Sequence, residues 1–481
     1  MKLRAFLSLI LLWLIPAIVF GDTLPIEKPL DLTGSWVGFF SLGVVVVAYV
    51  AAMLEDVTFV RKSKPMLLGA SLIWSAILLV YRLNGDTTLA VAAFRSNLES
   101  YVELLFFIMV SMTYLNVMES MKVFDALRIR LVSLNFGYRA LFWITGLLVF
   151  FISSVVNGLT SGLLMGAVVV AVGRDSPKFV SLACLNLVIA CNAGGSFSPL
   201  GGISTLFVWQ GGVLPFTDFF KLFLPCLVNF LVPAAIISFA VPKGRPEIMM
   251  ESVALPRGTK RIMFLFGLTI FLAIIFDMVL KLPPAAGMLA GFSLLELFDY
   301  YLMKTPGRDS DRLHLLSEGP DFKPKTSSRD QERLESYAIF DKAGHLDWDT
   351  LLFFYGAMVA IGGLGFIGYL DAISSWLYGQ HSATLANILI GLSSAFIDNG
   401  TLMFAVLTMH PPLGKGEWLL LTLTLGVGGS LLAIGSAPGI GLLGLTKGRY
   451  SFLSHMRWTP AILLGYAAAV AVHFLVNSHA F

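Results

Sequence analysis

The sequence predicts an all-α polytopic membrane protein, built as two inverted-topology repeats that each contain a re-entrant hairpin and a discontinuous transmembrane helix. Three observations predict it: a composition too apolar for water, basic loops that fix the direction of each apolar segment, and short motifs that recur in the same order in both halves. Of the 481 residues, 57% are hydrophobic and only 13% are charged, where a soluble domain carries roughly 25% charged residues. The mean hydropathy is +0.81. The net charge of +3 points to no nucleic-acid partner, because the basic residues follow membrane topology. Cys184, Cys191 and Cys226 all fall in apolar segments, which argues against a disulfide framework or a zinc site.

The elements follow in order. The start, "MKLRAFLSLILLWLIPAIVFGD", has Lys2 and Arg4 before an apolar run, the layout of a secretory signal or a short anchor. Residues 1–33 are therefore a signal-like segment and an external lead. Apolar segments follow at about 34–54, 66–82, 101–121, 139–172, 177–213, 219–241, 262–280, 284–303, 349–370, 383–409, 417–446 and 458–477. A single span needs about 20 residues, so several of these are too long for one crossing. They also carry glycine and polar residues in the middle.

Lys and Arg collect at 61–65, 122–139, Arg174, Lys178, 243–261, 304–345, Lys447, Arg449 and Arg457, and the positive-inside rule makes these loops cytoplasmic. The connections at 22–33, 83–99, 211–218, 281–283, 371–382 and 410–417 read as external. Segment 139–172 has basic residues at both ends, so it enters from the cytoplasm and returns there; segment 383–409 enters and returns on the outside. Residues 34–241 form the first repeat and 242–261 a cytoplasmic linker. The second repeat begins with helices at 262–303, continues past a charged cytoplasmic loop at 304–348, and ends with 349–481. "SSVVNGLTSGLLMGAVV" (153–169) pairs with "SSAFIDNGTLMFAVLTM" (393–409), and "GGSFSPLG" (194–201) with "GGSLLAIG" (428–435). Inverted repeats with broken helices mark secondary transporters.

Candidate binding residues lie at the four interruptions, where backbone groups lose their intrahelical partners and must be satisfied by protein, water or an ion. In the first half these are Asn157 and Thr160 at the hairpin, then Asn192, Ser196 and Ser198. In the second they are Asp398, Asn399 and Thr401, then Ser430 and Ser436. Freed carbonyls and hydroxyls can replace a cation's hydration shell, and half-helix N-termini favour an anion. Asp398 alone among them is titratable. A carboxylate that holds either a proton or a metal ion couples the two by competition, which is the minimal mechanism of cation/proton exchange. Asp398 is thus the transient Na⁺ or Li⁺ ligand as well as the proton site. Other acidic groups have simpler explanations: Asp347 and Asp349 precede a helix they can cap, while Glu55, Asp56, Glu103, Glu119, Asp218, Glu296 and Asp299 lie near span ends, within reach of headgroups. Asp277 and His473 sit about one turn inside their spans.

Longer stretches carry a family resemblance. "RKSKP", "DWDTLLFFYG", "GGLGFIGYL", "NILIGLSSAFIDNGTLMFAVLTM", "EWLLLTLTLGVGGSLLAIGSA" and "WTPAILLGYAAAVAVHF", with "CNAGGSFSPLGGISTLFVW" in the first half, resemble the NhaD-type sodium/proton antiporters of the ion transporter superfamily. The resemblance runs from about residue 40 to 477. It implies a non-enzymatic exchanger of Na⁺ or Li⁺ for H⁺, multi-pass in a bacterial inner membrane, with the lipid bilayer as its surroundings, no cofactor, and room for a homodimer. The first half departs from the family pattern. Asn157-Gly158 stands where Asp-Asn is usual, and Gly202 stands where the family carries Asp. One remaining tip carboxylate binds one monovalent cation or one proton. The rival within the superfamily is a dicarboxylate or oxyanion carrier, which would use Asn157, Thr160, Asn399 and Thr401; the fixed charge of Asp398 opposes it. A membrane aspartyl protease would need two facing Asp residues in a GxGD-like context, which Asp277 and Asp398 lack.

Overall fold

The structure is a computed structural model that describes residues 29–133, 136–246, 256, 258–304 and 346–481. Residues 1–28 of the signal-like segment, half of the 242–261 linker and 305–345 of the charged loop lie outside the described residues. Every regular element described is helical, and eight helical stretches are long and apolar enough to cross a membrane.

The first three long helices are α1 (Trp36–Met53), α2 (Ser63–Leu83) and α3 (Thr88–Ser120). Ser35 starts α1 by accepting from the Gly38 amide, a side-chain cap for an orphan donor. α3 has 33 residues. The apolar pattern marked only 101–121, because residues 88–100 mix polar groups with strong helix formers. Part of the expected external connection 83–99 is therefore helix. α4 (Val123–Ser133) leads into two shorter helices, α5 (Tyr138–Ile152) and α6 (Gly158–Val172). Next come α7 (Pro177–Ser196), α8 (Ile203–Gln210) and α9 (Phe223–Ser238). Ser176 caps α7 and Pro177 occupies its first turn, where a missing N–H costs nothing.

The second half runs α10 (Thr259–Met278), α11 (Pro284–Lys304), α12 (Trp348–Ile367), α13 (Tyr369–Gly379), α14 (Ala383–Ser393), α15 (Asn399–Met409), α16 (Lys415–Gly428), α17 (Ala437–Leu445), α18 (Phe452–Met456) and α19 (Thr459–Val476). Asp347 caps α12 by accepting from the Thr350 amide, as its position predicted. Gly368, at φ 111°, ends α12 in a backbone conformation that glycine adopts without strain. α13 fills most of the expected loop 371–382 with an amphipathic turn of helix.

α5 and α6 have 15 residues each, and α14 and α15 have 11 each. At 1.5 Å per residue these arms are about 22 and 16 Å long, short of the roughly 30 Å hydrocarbon core. Each pair is joined by a tight turn, at 153–157 and 394–398.

Packing sorts the helices into two sets. α1, α2, α3, α10, α11 and α12 pack mainly on one another, with α2 on α12, α10 on α11, and α3 against both α11 and α12. The second set joins α5 to α7, α14 to α16, α6 to α17, α8 to α15, and α9 to α19. The sets meet chiefly where α12 lies on α15 and α3 on α8. α7 and α16 are almost entirely buried, so the chain breaks that follow them sit inside the protein.

Candidate functional site

Small residues let the backbone pass close to itself at each break. A Cβ at Gly194 would overlap the Phe150 carbonyl of α5, and one at Gly428 would overlap the Gly391 carbonyl of α14. Hydroxyls add a tether to each contact. Ser153 Oγ donates to the Cys191 carbonyl of α7. Ser394 Oγ donates to the Leu425 carbonyl of α16 at 3.2 Å and to the Gly391 carbonyl at 2.7 Å. Each hairpin turn is thereby held three residues before the GGS of the neighbouring broken helix.

The two turns present their tips as helix caps. Asn157 Oδ1 accepts from the Leu159 amide at 3.0 Å and opens α6. Asp398 Oδ2 accepts from the Thr401 amide at 3.0 Å and from Thr401 Oγ1 at 3.2 Å, opening α15. The breaks are linked across the two halves: Asn192 Nδ2 donates to Ser436 Oγ at 2.9 Å, while Ser196 Oγ donates to the Asn192 carbonyl at 2.6 Å.

These groups converge on a cavity of about 130 Å³. Its inner wall contains Asn157, Asn192, Ser196, Asp398, Asn399 and Ser436, with backbone from Gly195, Gly202 and Gly426. Its other wall contains Lys62, Asp347, Thr350 and Phe353, and Lys62 Nζ lies 5.2 Å over the Phe353 ring. Six of the ten residues singled out from the sequence thus share one cavity. Thr401 is buried behind the tip, bonded to Asp398. Thr160 is in the first turn of α6, next to the lining residues Gly158 and Leu159, but does not itself line the cavity. Ser198 is buried in the break and accepts from the Leu200 amide at 3.3 Å. Ser430 is buried and donates to the Val427 carbonyl at 2.6 Å.

Sequence reading missed several neighbours. Lys62 read as a topology signal and Asp347 as a helix cap, while Thr350 and Tyr49 were not singled out; only tertiary packing brings them to this region. His455 was also missed. Its Nε2 contacts the Ser430 carbonyl at 2.9 Å and its Nδ1 lies against Tyr450 Oη. Nε2–H therefore donates to the carbonyl while Nδ1 accepts from the tyrosine. Burial pushes this imidazole down to about 4, outweighing the backbone acceptor beside it.

The remaining acidic candidates have partners of their own. Asp349 accepts from Ser63 Oγ, and Asp277 accepts from Trp209 Nε1 at 2.7 Å. His473 contacts the Gly416 carbonyl at 3.2 Å. Asp218 departs from the expectation of a headgroup contact: it is buried and paired with Lys221 and Lys415 at 2.9 and 2.5 Å, because neighbouring ammonium groups compensate a carboxylate better than the apolar surroundings would.

Among the described residues no three His, Cys, Asp or Glu side chains cluster as a metal site. The cavity offers the tip carboxylate of Asp398, a second carboxylate at Asp347, the Lys62 ammonium, neutral oxygens and backbone. Hard oxygen donors of this kind suit a hard, weakly held cation.

A family model described as CitMHS, citrate transporter, matches residues 14–312 and 334–426. The protein named Na⁺/H⁺ antiporter NhaD of Vibrio cholerae is 47% identical over 460 residues, covering 95% of each chain. Its namesake in Alkalimonas amylolytica is 47% identical over 459 residues, 94% of this chain and 93% of that one. Sodium/proton antiporter 1 of Arabidopsis thaliana is 27% identical over 454 residues. Matched by the family model over most of its length, and nearly half identical to these bacterial relatives from end to end, the chain belongs to the CitMHS family and, within it, to the NhaD group of antiporters.

Proposed function

We propose that the chain exchanges Na⁺ or Li⁺ for H⁺ across a bacterial inner membrane, with Asp398 as the site for which cation and proton compete. The observation that carries this reading is the position of Asp398 at a hairpin tip, bordering the cavity with only one of its oxygens engaged by the cap. Asn157, Asn192, Ser196, Asn399 and Ser436 supply neutral oxygens around it, and Thr401 orients it. Thr160, Ser198 and Ser430 support the breaks from outside the cavity.

Citrate, named in the family description, suits the cavity less well. Of the two carboxylates in its wall, Asp347 is committed to Thr350, whose Oγ1 donates to it at 2.6 Å. A carboxylate at Asp398 opposes a second negative group in the place an anion would have to sit. Names of the 46–47% identical relatives also favour cation exchange.

The architecture supports alternating access around this site. In inverted-repeat carriers, two equivalent hairpins face opposite sides of the membrane and flank a midplane site. Here Ser153–Cys191 and Ser394–Leu425 are equivalent tethers, and α6 on α17 mirrors α15 on α8. Lys62 and Asp347 border loops that are cytoplasmic by their charge, so the cavity reads as open to that side.

Everted vesicles loaded with a pH-sensitive dye test the function. Addition of Na⁺ or Li⁺ dequenches the dye with the native chain and not with Asp398→Asn. Uptake of labelled citrate without a cation response would contradict the reading.

A further inference from the structure

Tyr49 lies on α1, in "VVVVAYVAAM" (44–53), where every other side chain is apolar. Its ring packs against the protein core. Its hydroxyl oxygen is buried and makes no well-formed hydrogen bond among the described residues. The Thr401 side chain is close enough to act on it as a hydrogen-bond partner, and the Asp398 carboxylate close enough to act on it by its charge. Phenylalanine would fill the same space without leaving a buried hydroxyl unpaired. Packing therefore accounts for the ring and not for the oxygen.

The chemistry of the neighbours supplies a role. Thr401 Oγ1 spends its single hydrogen on Asp398 Oδ2, at 3.2 Å, and retains lone pairs that can accept. The Tyr49 O–H is the donor placed to reach them. A chain Tyr49→Thr401→Asp398 would fix the direction of the threonine hydrogen and keep Oδ2 occupied, leaving the other carboxylate oxygen for a cation in the cavity. Because α1 and α15 belong to different helix sets, this hydroxyl also reaches the tip from across the boundary between them.

We infer that Tyr49 is a positioning residue of the ion site: through the Thr401 hydroxyl it orients Asp398 and tightens the hold of the tip on Na⁺ or Li⁺. The inference rests on the reading of Asp398 as the cation site.

The test compares exchange kinetics of Tyr49→Phe, Thr401→Val, the double variant and Asp398→Asn at one fixed pH. Tyr49→Phe raises the apparent KM for Na⁺ about threefold to tenfold, the range one hydrogen bond supports, while the maximal rate holds. Its melting temperature in detergent stays level or rises, since the hydroxyl it removes is unpaired in this state. The double variant shows no larger KM than Thr401→Val alone. An unchanged KM in Tyr49→Phe beside an inactive Asp398→Asn overturns the inference and leaves the Asp398 reading standing. So does a loss of folded Tyr49→Phe, which would make the hydroxyl structural, or additive effects in the double variant. Exchange that persists in Asp398→Asn overturns both.

Discussion

Asp398 does two jobs with two oxygens. One caps α15 through the Thr401 amide and hydroxyl, which fixes the carboxylate at the positive end of a helix; the other accepts no hydrogen bond among the described residues, and Asp398 lines the cavity. It stood out in the sequence, since a carboxylate inside an apolar run is costly and usually functional. Asn157, Asn192 and Ser196 stood out for the same reason. Tyr49, Lys62 and Thr350 did not, because each is ordinary in its own segment and gains meaning only from what packs beside it. His455 is another residue whose role comes from tertiary contact. It satisfies the Ser430 carbonyl left by the break in the α16–α17 segment, and burial holds its pKa at about 4, below the unfolded value of about 6.5. A depressed histidine favours the folded chain while neutral, so its contribution is fully present above about pH 6.5 and is lost as the pH falls towards 4. Thermal melts of the native protein across that window should show stability declining with acid, and His455→Gln should flatten this part of the profile.

The elements argue through their interruptions. α7 and α16 stop inside the protein because Gly194 and Gly428 bring their backbones against the Phe150 and Gly391 carbonyls, where no side chain has room. Gly194→Ala and Gly428→Ala should each destabilise the fold by on the order of 1–3 kcal/mol, the cost of overpacking a rigid contact. Gly43→Ala on α1 is the control, with nothing within 4 Å of its added methyl. Melting temperature or folded yield in detergent separates the three. The GGS motifs and the SS pairs made these breaks visible in the sequence. Helix ends were harder to place: α3 runs back to Thr88 and α13 occupies 369–379, in stretches that mix polar residues with good helix formers, and hydropathy marks the bilayer rather than the helix.

At the scale of the molecule, two sets of helices meet along α12–α15 and α3–α8, and the cavity lies beside that boundary with wall residues from both sets. The all-helical, multi-pass class followed from composition because the bilayer constrains it. The meeting of two hairpin tips at one cavity did not, since it depends on how the helix sets pack. On the proposed function that meeting would make a single carboxylate the common station for two ions, and calorimetry on the purified protein tests it most directly. Na⁺ is titrated into the native chain and Asp398→Asn in buffers of different ionisation enthalpy, which counts the protons released per cation bound. Competition at one carboxylate predicts release approaching one proton per Na⁺ near the pH where Asp398 titrates, and none from Asp398→Asn. Na⁺ binding without proton release from the native protein, or release that survives the substitution, would contradict it.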